Sequence, residues 1–165
     1  MLVALTEKNP DWKFIIAPHE IGEAHIKEIE NLFPEAIKFS VFSSQLTQIS
    51  NLKSQVLIID NIGMLSSLYQ YGKLAYIGGG FGAGIHNTLE AAAFGLPVIF
   101  GPKYDKFQEA KDLIAIDAAK SISSEDELIL AFENFMANEK SSADAKKYVE
   151  QKKGATEMII KKIAN

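Results

Sequence analysis

Residues 76–102 constrain the fold more than any other part of the sequence. A short apolar run at 74–77 is followed by five glycines within the seven residues 78–84, and then by a helix-forming block that ends at Gly95. A second β-type run, at 97–100, follows at once. This order predicts a strand, a tight loop, a helix and a second strand, which together form one β-α-β unit.

The glycine-rich loop of this unit predicts a ligand site. Glycine has no side chain, so the backbone around Gly79 and Gly80 can approach a ligand closely. The amides at the start of the following helix face an anion favourably. We therefore expect a nucleotide-type ligand at this loop and helix start.

Strand and helix patterns alternate along the rest of the chain. Strands are predicted at 12–17, 37–42, 55–60 and 118–122, and helices at 1–8, 21–32, 64–71, 105–114, 125–137 and 143–163. Ser124 and Glu127 form a capping-box pattern at the helix of 125–137, and Gly154 is a weak point in the last helix. The alternation predicts an α/β fold with a Rossmann-like, doubly wound parallel sheet.

The length fits a single domain, residues 1–165. A chain of 165 residues buries about two-thirds of the surface that its unfolded form exposes. The first predicted helix has no strand before it, although helices of alternating α/β domains usually follow one. We expect the chain to be the later part of a longer protein, with the first strand of the fold missing.

Composition excludes several classes of site and partner. With no cysteine, disulfides and thiolate metal sites are excluded. No arginine occurs and the formal charge is −4, so a phosphate must be held by backbone amides, lysine or histidine, and nucleic acid is not expected as a partner. No signal peptide or membrane span is evident, and a cytoplasmic location is the default expectation.

Ligands of parallel α/β folds bind beyond the carboxyl ends of the strands, which directs attention to three places. These are Pro18 with His19, the turn 60–65, and the loop and helix start 78–90. Asn87 and Glu90 have two interpretations: a capping box without a ligand, or a carboxylate that accepts the hydroxyls of a ribose. His19 is likewise either a solvated turn residue or a ligand contact.

Two more specific motifs are matched only in part. Residues 78–83 fit the G-x-G-x-x-A form of a dinucleotide fingerprint, but the acidic residue expected after the next strand is replaced by Gly101 and Pro102. His19 and His25 stand six residues apart, not the four of a zinc-protease helix. We therefore expect no metal site and no bound cofactor.

The combined pattern resembles a known family. A glycine-rich loop, a helix with an early glutamate and a G-x-P-V-I run are similar to the nucleotide-sugar half of GT-B glycosyltransferases. The order of Pro18-His19, DNIGML at 60–65, GGG, IHNTLEAAAFG and PVIFGPKYDKFQEA resembles the C-terminal domain of bacterial 3-deoxy-D-manno-octulosonic acid (Kdo) transferases. The resemblance covers essentially the whole chain.

The resemblance implies a donor site for CMP-Kdo. His19 stands where many members of the family have arginine, which implies a weaker, pH-dependent contact. The expected donor contacts are Pro18, His19, Gly63, Met64, Leu65, Gly79, Gly80, Asn87, Thr88, Leu89 and Glu90.

The resemblance also implies that the reaction is completed elsewhere. Members of the family transfer Kdo with inversion to a lipid A precursor, and their general base lies in an N-terminal domain that we expect to be absent here. No catalytic residue is therefore expected in this chain, and the chain alone should not catalyse transfer. The alternatives are the donor domain of a GT-B enzyme that uses a UDP- or GDP-sugar, and a non-catalytic nucleotide-binding module.

Overall fold

The computed structural model describes residues 1–44, 54–82 and 84–163, and within the last range it leaves out the side chains of 155–158. The chain divides into two compact units, Met1–Ser67 and Leu68–Asn165, called here the N-terminal unit and the C-terminal unit. No helix in these ranges combines the length and the apolar character needed to cross a membrane.

The N-terminal unit contains a parallel three-stranded sheet in the order β1-β3-β2. Ile16 of β1 and Lys38 of β2 both lie opposite Ile58 of β3. The central strand is a run of branched aliphatic residues, and Ile58 is fully buried with Ile26 of α2 packed in the same cluster. The elements are α1 (Leu2–Lys8), β1 (Phe14–Ile16), α2 (Glu23–Leu32), β2 (Ile37–Lys38), α3 (Phe39–Ser44), β3 (Val56–Ile58) and α4 (Leu65–Leu68).

The C-terminal unit contains a second parallel sheet, in the order β4-β5-β6. Its central strand is apolar throughout, and Val98, Ile99 and Phe100 are all fully buried. Such a strand fits a position covered on both faces. The elements are a 3₁₀ turn (Tyr69–Tyr71), β4 (Ala75–Ile77), α5 (Leu89–Ala93), β5 (Val98–Phe100), α6 (Gln108–Ala115), β6 (Ala119–Ser121), α7 (Glu125–Ala137), α8 (Glu139–Lys152) and α9 (Ala155–Ile163).

Helix α5 ends in a Schellman motif. Gly95 has φ +78°, its amide donates to the carbonyl of Ala92, and the amide of Leu96 donates to that of Ala91. A residue without a side chain suits this left-handed conformation. The chain thereby turns directly from α5 into β5.

Helix α8 packs closely against α5. Ala91 and Ala92 of α5 and Ala145 of α8 are fully buried, and Ser141 of α8 is almost so. A Cβ on Gly95 would lie 3.3 Å from the carbonyl oxygen of Ser142. Small residues on both sides therefore set the short distance between the two helices.

The structure confirms most predicted elements and corrects two. Helix α7 has the predicted bounds, and the amide of Glu127 donates to the Ser124 hydroxyl over 3.2 Å. The strand predicted at 37–42 is wrong beyond Lys38, because α3 begins at Phe39. The helix predicted at 143–163 is two helices, because Gly154 adopts φ +104° between α8 and α9.

The predicted parallel α/β class is confirmed, since every strand pair in the described residues is parallel. The hydrogen-bonded ladders form two three-stranded sheets, whereas the alternation of elements had indicated one.

Candidate functional site

In the N-terminal unit, two predicted segments leave the same edge of the sheet. β1 and β3 are neighbouring parallel strands, so their carboxyl ends lie side by side. Pro18 and His19 follow β1, and Asp60 follows β3 after one intervening residue. Pro18 is half-buried and His19 is exposed. The structure thus brings the Pro18-His19 step and the turn after β3 to one edge.

The turn after β3 is open to solvent. Gly63 has φ +90°, a conformation that favours glycine, and a Cβ there would meet no atom within 4 Å. The side-chain amide of Asn61 donates to Sδ of Met64 over 3.0 Å. Ile62 is 85% exposed and Leu65 is 44% exposed. The turn therefore presents accessible backbone flanked by apolar side chains.

Asp60, at the start of this turn, is held by Ser40. The amide of Ser40 donates to Oδ1 of Asp60 over 2.9 Å, and the Ser40 hydroxyl donates to Oδ2 in a short hydrogen bond. Burial raises the pKa of Asp60, but the bonds from Ser40, the Asp60 backbone and the charge of Lys38 outweigh it, so the pKa lies below its ordinary value. Sequence reasoning missed Ser40; the carboxylate at the end of a buried strand was the available signal.

In the C-terminal unit, the glycine-rich loop packs on its own chain. A Cβ on Gly79 would lie 2.6 Å from the carbonyl oxygen of Gly84, and one on Gly80 would lie 2.7 Å from that of Gly101. The amide of Gly101 donates to the carbonyl of Gly79, and that of Lys103 to the carbonyl of Gly80. The chain itself therefore requires these two glycines, beyond any approach of a ligand.

Other glycines of the same loop face open space. No atom lies within 4 Å of the position that a Cβ on Gly78 or Gly82 would take. Both residues are exposed. These positions, more than Gly79 and Gly80, leave the room for a ligand that the sequence predicted.

Asn87 and Glu90 contact each other at the start of α5. Oδ1 of Asn87 accepts from the amide of Leu89 over 3.0 Å, and its Nδ2 donates to Oε1 of Glu90 over 2.9 Å. The predicted capping box is therefore corrected: the Glu90 carboxylate binds the Asn87 side chain, whereas the box has it bind the cap backbone. The pair leaves an oriented, exposed carboxylate at the helix start.

Thr88 lies beneath this helix start. Its side chain is fully buried, and within the described part of the chain its Oγ1 has no hydrogen-bond partner. Leu89 is half-buried. A ligand at the surface would reach Asn87 and Glu90 before it reached Thr88.

The predicted contacts fall in both units. Pro18, His19 and Gly63–Leu65 belong to the N-terminal unit, and Gly79, Gly80 and Asn87–Glu90 belong to the C-terminal unit. Their roles as ligand contacts stay a prediction. Across residues 1–44, 54–82 and 84–163, no group of three His, Asp or Glu residues is placed to hold a metal ion.

No protein-family model matches the chain. Individual proteins are similar to it in sequence. The chain is 34% identical over 119 residues to a 3-deoxy-D-manno-octulosonic acid transferase of Aquifex aeolicus, an alignment that covers 71% of this chain and 31% of the relative. It is 30% identical over 129 residues to the transferase of that name from Rickettsia bellii, covering 76% of this chain and 31% of the relative. The chain thus spans about a third of the length of these curated relatives.

A solved structure has the same fold. The C-terminal CMP-Kdo-binding domain of WaaA from Acinetobacter baumannii superposes with a TM-score of 0.71 at 18% sequence identity, covering 91% of this chain and 78% of that domain. The predicted fold, a Rossmann-like C-terminal domain of the GT-B type, is confirmed by this match. Sequence and fold together place the chain among the relatives of the 3-deoxy-D-manno-octulosonic acid transferases, with the fold of a C-terminal domain.

Proposed function

We propose that this chain is the CMP-Kdo-binding part of a Kdo transferase, which transfers Kdo from CMP-Kdo to a lipid A precursor in lipopolysaccharide biosynthesis. The observation that carries the proposal is the agreement of two comparisons. The sequence relatives are named Kdo transferases, and the fold neighbour is named a CMP-Kdo-binding domain.

The turn after β3 suits the base of the nucleotide. A cytosine ring needs apolar cover on its face and backbone partners for its polar edge. The exposed side chains of Ile62 and Leu65 offer the first, and the accessible backbone at Gly63 offers the second. We assign Pro18 and His19, which follow β1 at the same sheet edge, to a further part of the nucleotide.

The start of α5 suits the ribose. Asn87 already fixes the Glu90 carboxylate through Oε1. A carboxylate has about four acceptor positions, so Glu90 can accept both ribose hydroxyls while it keeps the Asn87 contact. The exposure of both side chains permits this.

The chain supplies donor binding in this proposal, not the whole reaction. CMP leaves the anomeric carbon as an acceptor hydroxyl attacks it from the opposite side, and the base that takes the hydroxyl proton belongs to the rest of the parent enzyme. That enzyme works at the cytoplasmic face of the inner membrane, where its lipid acceptor lies. The isolated chain should therefore not convert CMP-Kdo and lipid IVA, and turnover by the purified chain would overturn this point.

Calorimetric titration of the purified chain tests donor binding. CMP, UMP, GMP and NADH are titrated separately, and CMP is expected to bind most tightly. Tighter binding of UMP or GMP would point to another nucleotide sugar. Equal weak binding of all four would overturn the proposal.

A matched pair of variants locates the ribose contact. Glu90→Gln removes the charge that accepts the hydroxyls and should weaken CMP binding about tenfold, a loss of about 1.4 kcal/mol. Glu133→Gln makes the same change at an exposed position of α7 and should leave CMP binding unchanged. Equal effects of the two variants would contradict the assignment of Glu90.

A further inference from the structure

The contact between Ser40 and Asp60 joins the segment that follows β2 to the segment that follows β3, beyond the end of the sheet of the N-terminal unit. Lys38 and Ile58 form the last pair between β2 and β3. Two residues further along each chain segment, Ser40 donates its amide and its hydroxyl to the two carboxylate oxygens of Asp60. One residue of α3 therefore engages both oxygens of Asp60.

Asp60 is the residue from which the exposed turn 61–65 departs. Asn61, Ile62, Gly63 and Leu65 are all exposed, so the protein surface packs little against the turn itself. Within the turn, Asn61 contacts Met64, and Met64 accepts from the amide of Ser67. The position of the turn on the unit is thus set mainly where it leaves β3, at Asp60.

Burial raises the pKa of Asp60, but the hydrogen bonds from Ser40 and the Asp60 backbone, with the charge of Lys38, outweigh it and keep the carboxyl ionised. Lys38 lies on β2, and Glu23, Lys27 and Glu30 of α2 line with Asp60 a polar cavity of about 430 Å³. Lys38 is paired with Glu30, with 3.0 Å between Nζ and Oε1. The pKa of Asp60 lies below its ordinary value, so near neutral pH its oxygens act only as acceptors.

We infer that Asp60 is a positioning residue: its carboxylate, fixed by Ser40, holds the turn 61–65 in the geometry that binds the nucleotide and does not itself touch the ligand. The inference rests on the proposed function, since it assumes that Gly63–Leu65 contact CMP. In this inference the carboxylate after β3 and the first turn of α3 act together to position the turn 61–65.

Protonation of Asp60 should release the turn 61–65. As pH falls through the lowered pKa of Asp60, one oxygen becomes a donor, so the two bonds from Ser40 no longer both meet a charged acceptor and their hold weakens. The turn then loses its fixed position, and CMP affinity falls. In Asp60→Asn this carboxyl is absent, so its step in the pH profile disappears.

Four variants, Asp60→Asn among them, and two measurements test the inference. Ser40→Ala should weaken CMP binding about tenfold and shift the backbone amide signals of 61–65 in NMR spectra without ligand. Ser40→Thr keeps both donors and should restore both properties. Ser44→Ala, on the same helix, removes a hydroxyl that donates to the carbonyl of Val41 and, among the described residues, has no other bond, so it should change neither.

The outcomes separate the inference from the proposed function. If Ser40→Ala binds CMP as the unchanged protein does while Asp60→Asn loses binding, the Ser40 hydroxyl does not position the turn for the ligand and the inference is wrong. If the unchanged protein shows no preference for CMP, the proposed function fails. The ligand-free amide signals then decide: shifted signals in Ser40→Ala support the positioning role, and unshifted signals overturn it.

Discussion

The carbonyl oxygen of Gly101 lies 2.7 Å from the point that a Cβ on Gly80 would occupy. The relationship is reciprocal, because a Cβ on Gly101 would lie 2.7 Å from the carbonyl carbon of Gly80 and 2.8 Å from Cδ2 of Phe81. The loops after β4 and β5 therefore interlock through two residues that have no side chain. The hydrogen bond from Lys103 to Gly80 adds to this junction.

Gly80→Ala should destabilise the C-terminal unit by about 3 kcal/mol. The added methyl group overlaps the Gly101 backbone, and φ +93° is strained for alanine. Urea denaturation followed by circular dichroism measures the loss. Gly78→Ala is the control, since nothing lies within 4 Å of its Cβ position, and its effect should stay within about 0.5 kcal/mol. Similar losses in the two variants would contradict the interlock.

Thr88→Val should stabilise the protein by about 1 kcal/mol, because it replaces a fully buried hydroxyl that has no partner among the described residues. Thr6→Val is the matched opposite. Thr6 is also buried, but its hydroxyl donates to the carbonyl of Val3 over 2.7 Å. Thr6→Val should therefore destabilise the protein by about 1 kcal/mol. Thermal or urea denaturation measures both, and a loss at position 88 would show that its hydroxyl has a partner.

Tyr148 should ionise unusually late. Burial and the 2.7 Å hydrogen bond to Oδ2 of Asp112 raise its pKa to about 12. Because the folded pKa is raised, the stabilisation from this bond is complete below the unfolded value of about 10 and is lost as pH rises through about 12. The difference in tyrosinate absorbance between the unchanged protein and Tyr148→Phe measures the titration.

Asp112→Asn provides the control for this titration. It removes the charge beside the Tyr148 hydroxyl while it keeps an acceptor, so the late step should move toward lower pH. A late step that is unchanged in Asp112→Asn would assign the raised pKa to burial and the charge of Glu109.

Asn87→Ala should weaken both stability and CMP binding. Loss of the bond from the Leu89 amide should cost about 1 kcal/mol, and Glu90 would lose the partner that orients its carboxylate. Asn138→Ala is a close match, because Oδ1 of Asn138 accepts from the amide of Lys140 and its Nδ2 donates to Ser141. Both variants should lose similar stability by urea denaturation, and calorimetry should find the larger loss of CMP affinity in Asn87→Ala.

Sequence patterns correctly predicted the elements whose bounds depend on contacts between residues close together in the chain. The bounds of α7 follow from Ser124 and Glu127, three residues apart, and these were readable in the sequence. The strand predicted at 37–42 failed because α3 begins where Ser40 meets Asp60, twenty residues away. Asp117 ends α6 with φ +55°, a conformation more typical of glycine, and no pattern in the sequence marked it.

The segments that carry the candidate site were located for a similar reason. Hydrophobic runs located the strand ends, and so the segments that hold Pro18, Gly63 and Glu90. The role of the glycines could not be read in this way, because the partner of Gly80 is Gly101 on the next strand. The expectation of CMP-Kdo as the donor came from resemblance, since no spacing of residues specifies cytosine.

The close packing of α5 on α8 gives distant residues an influence on the start of α5. Ala91 and Ala92 leave no room between the helices, so the placement of Asn87 and Glu90 depends on the size of residues such as Ala145. A larger residue there would tilt α5 and move the carboxylate without touching any ligand. Mutant libraries meant to retune nucleotide preference should therefore include helix α8 as well as the proposed contact residues.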